Sequence, residues 1–274
     1  ANTLFGQLFA QGRLAAEPYP AERDAIQAAI RALFALPYVF ILPLWAWATG
    51  EGLSALALYP VSLGLGAAML ALTWARWPRA MAHDRPSGLS PLAALRELTR
   101  PGLPRTILAL AAVTAPGAVY WAVLGLSLTE AGQPQAAPLY AGIVAGLEVP
   151  FMLALPLVLN WPRGRLILVG TCLYGIHLAG IPLLAGTPWL WALALPAAMG
   201  GALTLTLPIA VLQDALSARP GTAAALMALM KVAGDAMAAA CFALGTALQG
   251  YALAAALGAV LSLLGALLLK PQRG

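Results

Sequence analysis

Charge is scarce in this sequence. Only 9% of its 274 residues are Asp, Glu, Lys or Arg, against roughly 25% in an average globular chain, and 61% are hydrophobic. Such a composition belongs in lipid rather than in water. Cysteine is nearly absent: Cys172 and Cys241 both fall in apolar runs, which excludes a disulfide framework and any C-x-x-C metal or redox spacing. Histidine occurs twice. H-E-x-x-H, G-x-S-x-G, a P-loop and paired aspartates at metal spacing are all missing, which weakens an enzymatic reading. No cofactor is expected. The start carries no secretory-signal pattern and no Met.

What the chain has is long apolar runs. Eight of them approach the ~20 residues that a bilayer core requires: about 25–49, 52–74, 105–128, 138–159, 166–185, 188–212, 222–246 and 249–269. The expected fold is therefore an all-α membrane protein of about eight transmembrane helices. Pro37, Pro43, Pro60, Pro116, Pro150, Pro156, Pro182, Pro196 and Pro208 lie inside these runs, as polytopic bundles tolerate. Small-residue clusters at Gly64/Gly66, Gly200–Gly201 and Ala236–Ala240 predict close helix approach. Leu4, Phe5, Leu8 and Phe9 are spaced for a short amphipathic interfacial helix.

The net charge of +5 is placed for topology. Arg13 and Arg23, the linker arginines from Arg76 to Arg105, Arg163 and Arg165, Arg219, Lys270 and Arg273 all fall on one side of the expected spans. The opposite loops hold no Lys or Arg. The positive-inside rule then puts both termini of this chain in the cytoplasm of a multi-pass inner (plasma) membrane protein. Nucleic acid is not an expected partner; the lipid bilayer is. Ser90–Pro91 and Pro101–Gly102 bracket a short surface helix at about 91–99 within the linker.

Charges inside the spans are candidates for a substrate or proton pathway. Lys231 and Asp235 stand one helical turn apart near mid-bilayer. A facing or intrahelical partner is expected for the lysine, and mutual neutralisation is the bland alternative. Glu148 lies mid-span with Pro150 just after it, so a kink at a binding cavity competes with a simple interhelical hydrogen bond. His177 is central in its span and is either a relay or a packed, hydrogen-bonded residue. Tyr120, Trp121 and Tyr174 are deep enough to stack on a solute or merely to pack. Arg31 is close enough to an end to snorkel. Gln213 and Asp214 sit at the cytoplasmic end of the sixth span, where a charge contact would lock the inward face. Trp45, Trp47, Trp74 and Trp77 read as interfacial anchors.

Ala145–Pro150 (AGLEVP), Gln213–Asp214 followed by Gly221, Leu226 and Val232–Gly234, Ile30–Leu33 (IRAL), and Pro162–Arg165 (PRGR) together resemble the sugar efflux transporters of the major facilitator superfamily. The resemblance implies helices 5–12 of a twelve-helix bundle. Residues 1–74 would be a remnant of the N-terminal bundle, 75–104 the central cytoplasmic linker and 105–274 the C-terminal six-helix bundle. Four helices of a missing N-terminal bundle would precede Ala1, and these residues expressed alone would not transport.

The implied activity is proton-coupled efflux of sugars or other small-molecule solutes by alternating access. Glu148, Lys231, Asp235, His177, Tyr120 and Tyr174 would form the substrate and proton pathway, and Asp214, Gln213, Arg163, Arg165 and Arg31 a cytoplasmic gate. The chain departs from the family at Asn160, Ile41–Leu42, Asp235 and the apolar Ala228–Leu229–Met230; the last favours a more apolar solute. An intramembrane enzyme on lipid-linked substrates, with Glu148 or His177 as base, and a non-transporting receptor or scaffold are the alternative functions.

Overall fold

A computed structural model describes residues 11–12, 16, 18–19, 22–76, 101–158, 160–215 and 220–269. The expected helices at Leu4–Phe9 and at about 91–99, most of the 75–104 linker, and Arg13, Arg219, Lys270 and Arg273 lie outside these residues.

Helix is the only regular structure among the described residues. The long helices are α1 (Arg23–Gly50), α2 (Leu58–Arg76), α3 (Leu103–Thr114), α4 (Pro116–Glu130), α5 (Ala136–Ala154), α6 (Arg163–Leu184), α7 (Ala194–Ala215), α8 (Pro220–Leu248) and α9 (Tyr251–Leu268). They make eight segments long and apolar enough to cross a membrane, each within a few residues of its expected place. The chain is a multi-pass membrane protein.

Helices α3 and α4 form one span, interrupted at Ala115 where Pro116 lacks an amide hydrogen. Beside the break, Ser262 Oγ of α9 donates to the Val113 carbonyl at 3.1 Å. In an apolar interior such side-chain donors make an interrupted helix tolerable. Short 3-10 segments continue α5 (Leu155–Val158) and precede α7 (Pro188–Leu193).

Helices α3 to α9 pack into one bundle with two large apolar clusters. One contains Leu110, Ile167, Leu207 and Leu212, and the other Val123, Leu128, Leu178 and Ile181. Small residues set the closest crossings, as expected at Gly200: a Cβ there would lie 2.6 Å from the Tyr174 amide nitrogen. At Gly64 and Gly66, by contrast, an added Cβ would meet nothing within 4 Å among the described residues.

Helix α1 joins this bundle by lying along α5. Gly142 and Gly146, one turn apart on α5, form the seat: a Cβ on Gly142 would come 2.9 Å from Pro43, and one on Gly146 3.7 Å from Val39. This Gly-x-x-x-Gly spacing brings two backbones together where lipid gives the helices no hydrophobic reason to associate. Helix α2 behaves differently. It has no buried residue and makes no substantial contact with another long helix among the described residues.

Candidate functional site

A polar seam runs through the apolar bundle from the α1–α5 contact to the cluster around α6. At one end of the seam stands Glu148, 9% exposed. Its carboxylate lies against the Cα of Gly201 on α7, in the space that a Cβ at that position would take. Glycine at 201 is what lets the carboxylate enter the helix contact.

Arg31 of α1 interacts electrostatically with Glu148 across the α1–α5 contact. Both positions are deep in their helices. At ~1.5 Å per residue, Arg31 is about 12 Å along α1 from Arg23, and Glu148 is about 15 Å from Val158. The hydrogen bond from Thr49 Oγ1 to Gln135 Oε1, 3.1 Å, ties the far end of α1 to the start of α5. Arg31 is the cation that acts on Glu148. Gln27, one turn before it, is 6% exposed and buried beside it on α1.

Beyond Glu148 the seam is aromatic. Tyr120 of α4 and Tyr174 of α6 interact electrostatically with Glu148, and their ring centroids are 6.3 Å apart. Tyr174 and His177 lie on one face of α6, at the three-residue spacing that makes neighbours on a helix; their rings are 5.3 Å apart. Tyr120 is 5.2 Å from the same imidazole. Tyr140 of α5 closes the cluster, its ring nearly parallel to His177 and its Oη 3.1 Å from Nδ1. Trp191 packs on Tyr140 at 5.8 Å.

Two polar atoms in this cluster are buried without a hydrogen-bond partner: Tyr120 Oη and His177 Nε2. The Leu193 backbone interacts with the imidazole, yet no acceptor meets hydrogen-bond geometry at Nε2. Buried polar atoms left open cost about 1–3 kcal/mol each. His177 itself is both packed, with no exposed surface, and hydrogen-bonded to Tyr140.

The remaining sequence candidates fall into two separate groups. Lys231 and Asp235 pair with each other on α8, Nζ lying 2.6 Å from Oδ2. Their side chains are 49% and 44% exposed, on the open face of that helix and away from the Glu148 seam. The intrahelical partner expected for Lys231 is present. The cation that acts on Glu148 is Arg31. At the end of the bundle where α6 begins and α7 ends, Arg163 donates to Asp214 in an ion pair, beside a buried Gln213. Arg165 is exposed and stands outside that pair.

Sequence reasoning missed Tyr140, Trp191 and Gly142–Gly146. A signal for the first was present: Tyr140, Val144 and Glu148 repeat at four-residue intervals and so share one face of α5. Among the described residues no group of three His, Cys, Asp or Glu side chains could hold a metal ion. No family model matches the chain, and neither does any curated protein or solved structure. What the fold and site define is a multi-pass helical membrane protein in which a buried carboxylate interacts with an arginine of a neighbouring helix and adjoins a packed cluster of aromatic rings and one histidine.

Proposed function

We propose that this protein is a secondary transporter of the major facilitator type, exporting sugars or other, more apolar small solutes by proton-coupled alternating access. In this reading it lies in the inner membrane with both ends of the chain in the cytoplasm. The observation that carries the proposal is the Arg31–Glu148 interaction. It joins α1, from the expected remnant of one bundle, to α5 of the expected six-helix bundle. The contact between bundles is where alternating access must open and close.

The chemistry follows from charge in an apolar medium. With Glu148 ionised, Arg31 has a counter-charge and α1 is held on α5. A proton on Glu148 removes that counter-charge from the buried guanidinium, at a cost of several kcal/mol. Separation of α1 from α5 lets water or an anionic group reach Arg31 and relieves the cost. One proton thereby biases the interface between two arrangements. Tyr120, Tyr174 and His177, adjoining Glu148, supply stacking faces and open hydrogen-bonding atoms for the solute. The Arg163–Asp214 pair is suited to hold the inward face shut in one of the two states.

The test is flux. The protein, together with the N-terminal helices that the resemblance implies, is reconstituted in liposomes under an imposed pH gradient and offered a panel of radiolabelled sugars and amphiphilic solutes. Wild type is expected to move a solute against its gradient. Glu148→Gln is expected to abolish the gradient dependence while the protein stays folded. Wild-type coupling in that variant refutes the role of Glu148. Turnover of a lipid-linked substrate without any gradient, or saturable binding with no flux, replaces the transporter by the enzyme or the receptor.

A further inference from the structure

The span formed by α3 and α4 is broken near its middle. Among the described residues no backbone N–H reaches the carbonyl of Ala112, Val113 or Thr114. Pro116 has no amide hydrogen to offer, and the Ala118 and Val119 amides both turn back to the Ala115 carbonyl, at 3.0 and 3.4 Å. Thr114 Oγ1 donates to the Leu110 carbonyl at 3.1 Å, a back-bond that bends helices. Proline alone does not produce such a break: Pro37, Pro43, Pro150, Pro182 and Pro208 lie inside helices that continue.

The two halves are held differently. Helix α3 is gripped at its backbone. A Cβ on Gly234 of α8 would come 2.9 Å from the Ala111 carbonyl oxygen, and one on Gly265 of α9 2.6 Å from that of Ala109. Ser262 adds its bond to the Val113 carbonyl. Helix α4 meets α9 through side chains instead, a Cβ on Gly258 reaching Val119 Cγ2 at 3.3 Å. At the break itself, a Cβ added to Gly117 would meet nothing within 4 Å.

The less firmly held half also carries a mismatch. Tyr120 and Ser127 stand about two turns apart on the buried face of α4, each 5% exposed. Neither hydroxyl oxygen has a hydrogen-bond partner, and neither has accessible surface at which one could bind. Unmet buried hydroxyls disfavour the arrangement that buries them.

We propose that α4 is a hinged half-span with two resting positions. It turns about residues 115–117 on a fixed α3, and the Tyr120 and Ser127 hydroxyls gain partners only in the second position. This device does not rest on the transport reading, which turns on α1 and α5.

Nitroxide pairs measured by double electron–electron resonance in lipid nanodiscs test it, in a background lacking Cys172 and Cys241. Leu126→Cys on α4 with Val169→Cys on α6 reports the turning half. Leu108→Cys on α3 with Leu183→Cys on α6 reports the fixed half. All four positions are exposed. The first pair is expected to give two distances and the second pair one. Tyr120→Phe and Ser127→Ala each remove a hydroxyl that is unmet in the present position. Each is therefore expected to raise the ratio of this position to the second about fivefold. Pro116→Ala supplies the missing amide and is expected to leave one distance.

A single distance from the first pair in the wild type overturns the proposal. So does a ratio that Tyr120→Phe and Ser127→Ala leave unchanged or move toward the second position. Two distances from the α3 pair as well refute the hinge, because the whole span would then move. Should Pro116→Ala fail to fold, the two hydroxyl variants decide.

Discussion

The carboxylate of Glu148 occupies the space that a methyl group would fill on Gly201. The two residues are on different helices, α5 and α7, and neither tolerates the other's enlargement. Gly201→Ala is expected to displace the carboxylate and destabilise the fold by about 1–3 kcal/mol, the usual cost of overpacking. In a Glu148→Ala background the same change is expected to cost much less, because the two substitutions share one space. Thermal unfolding of the four proteins in detergent measures both quantities; an undiminished cost in the double variant contradicts the contact.

The seat of α1 on α5 depends on Gly142 having no side chain. A Cβ there meets Pro43 at 2.9 and 3.0 Å, and the Tyr38 carbonyl at 3.5 Å, so no neighbour can yield without moving the α1 backbone. Gly142→Val is expected to lift α1 from the bundle. A cysteine pair at Val39 and Gly146, whose Cβ would lie 3.7 Å from Val39, reports this in a background lacking Cys172 and Cys241. Cross-linking is expected to be efficient while Gly142 is kept and largely lost in the Gly142→Val variant. Retained cross-linking refutes the packing.

The same cross-link carries a pH dependence with a definite sign. In the proposed coupling the ionised Glu148 holds Arg31 and the protonated form releases it. Because thiol oxidation itself slows on acidification, the comparison is with Glu148→Gln at each pH: cross-linking is expected to fall more steeply with falling pH in the wild type than in the variant. A rise on acidification, or an unchanged profile in the variant, contradicts the proposed coupling.

Tyr140 and His177 hold each other in the buried cluster through the 3.1 Å contact between Oη and Nδ1. Tyr140→Phe leaves the imidazole nitrogen without a partner and is expected to cost about 1–3 kcal/mol in stability. With His177 already replaced by Leu, Tyr140→Phe is expected to be nearly neutral. Additive losses in the double-mutant cycle refute a hydrogen bond between them.

Lys231 and Asp235 are half-exposed on α8 and neutralise each other. Removing one leaves the other alone in the span, so Lys231→Met and Asp235→Asn are each expected to reduce the membrane-inserted, folded fraction. Exchanging the two residues keeps the pair and is expected to restore much of that fraction. Equal yields from the single variants and the exchange refute a neutralising role; the measurement is the detergent-soluble, monodisperse yield.

The sequence by itself determined the number and placement of the spans. Twenty apolar residues in a row must be a helix in lipid, since every backbone polar group has to be satisfied within the segment. It also exposed Glu148, Lys231, Asp235 and His177 as unusual, because charge in such a run is costly wherever it points. Lys231 and Asp235 could be paired on paper because four residues make one turn.

Tertiary structure alone decided which charge answers Glu148. Arg31 is distant in sequence and reaches it only because Gly142 and Gly146 let α1 settle onto α5. A two-residue contact between helices depends on azimuth and depth, which hydropathy does not encode. The same limit explains Tyr140: its place on the Glu148 face of α5 was legible, but its partner His177 comes from α6, and which faces of two helices meet is not written in either apolar run. The open faces of α2 and α8 were likewise undetermined by hydropathy, because in lipid a helix surface reads the same whether protein or acyl chains cover it.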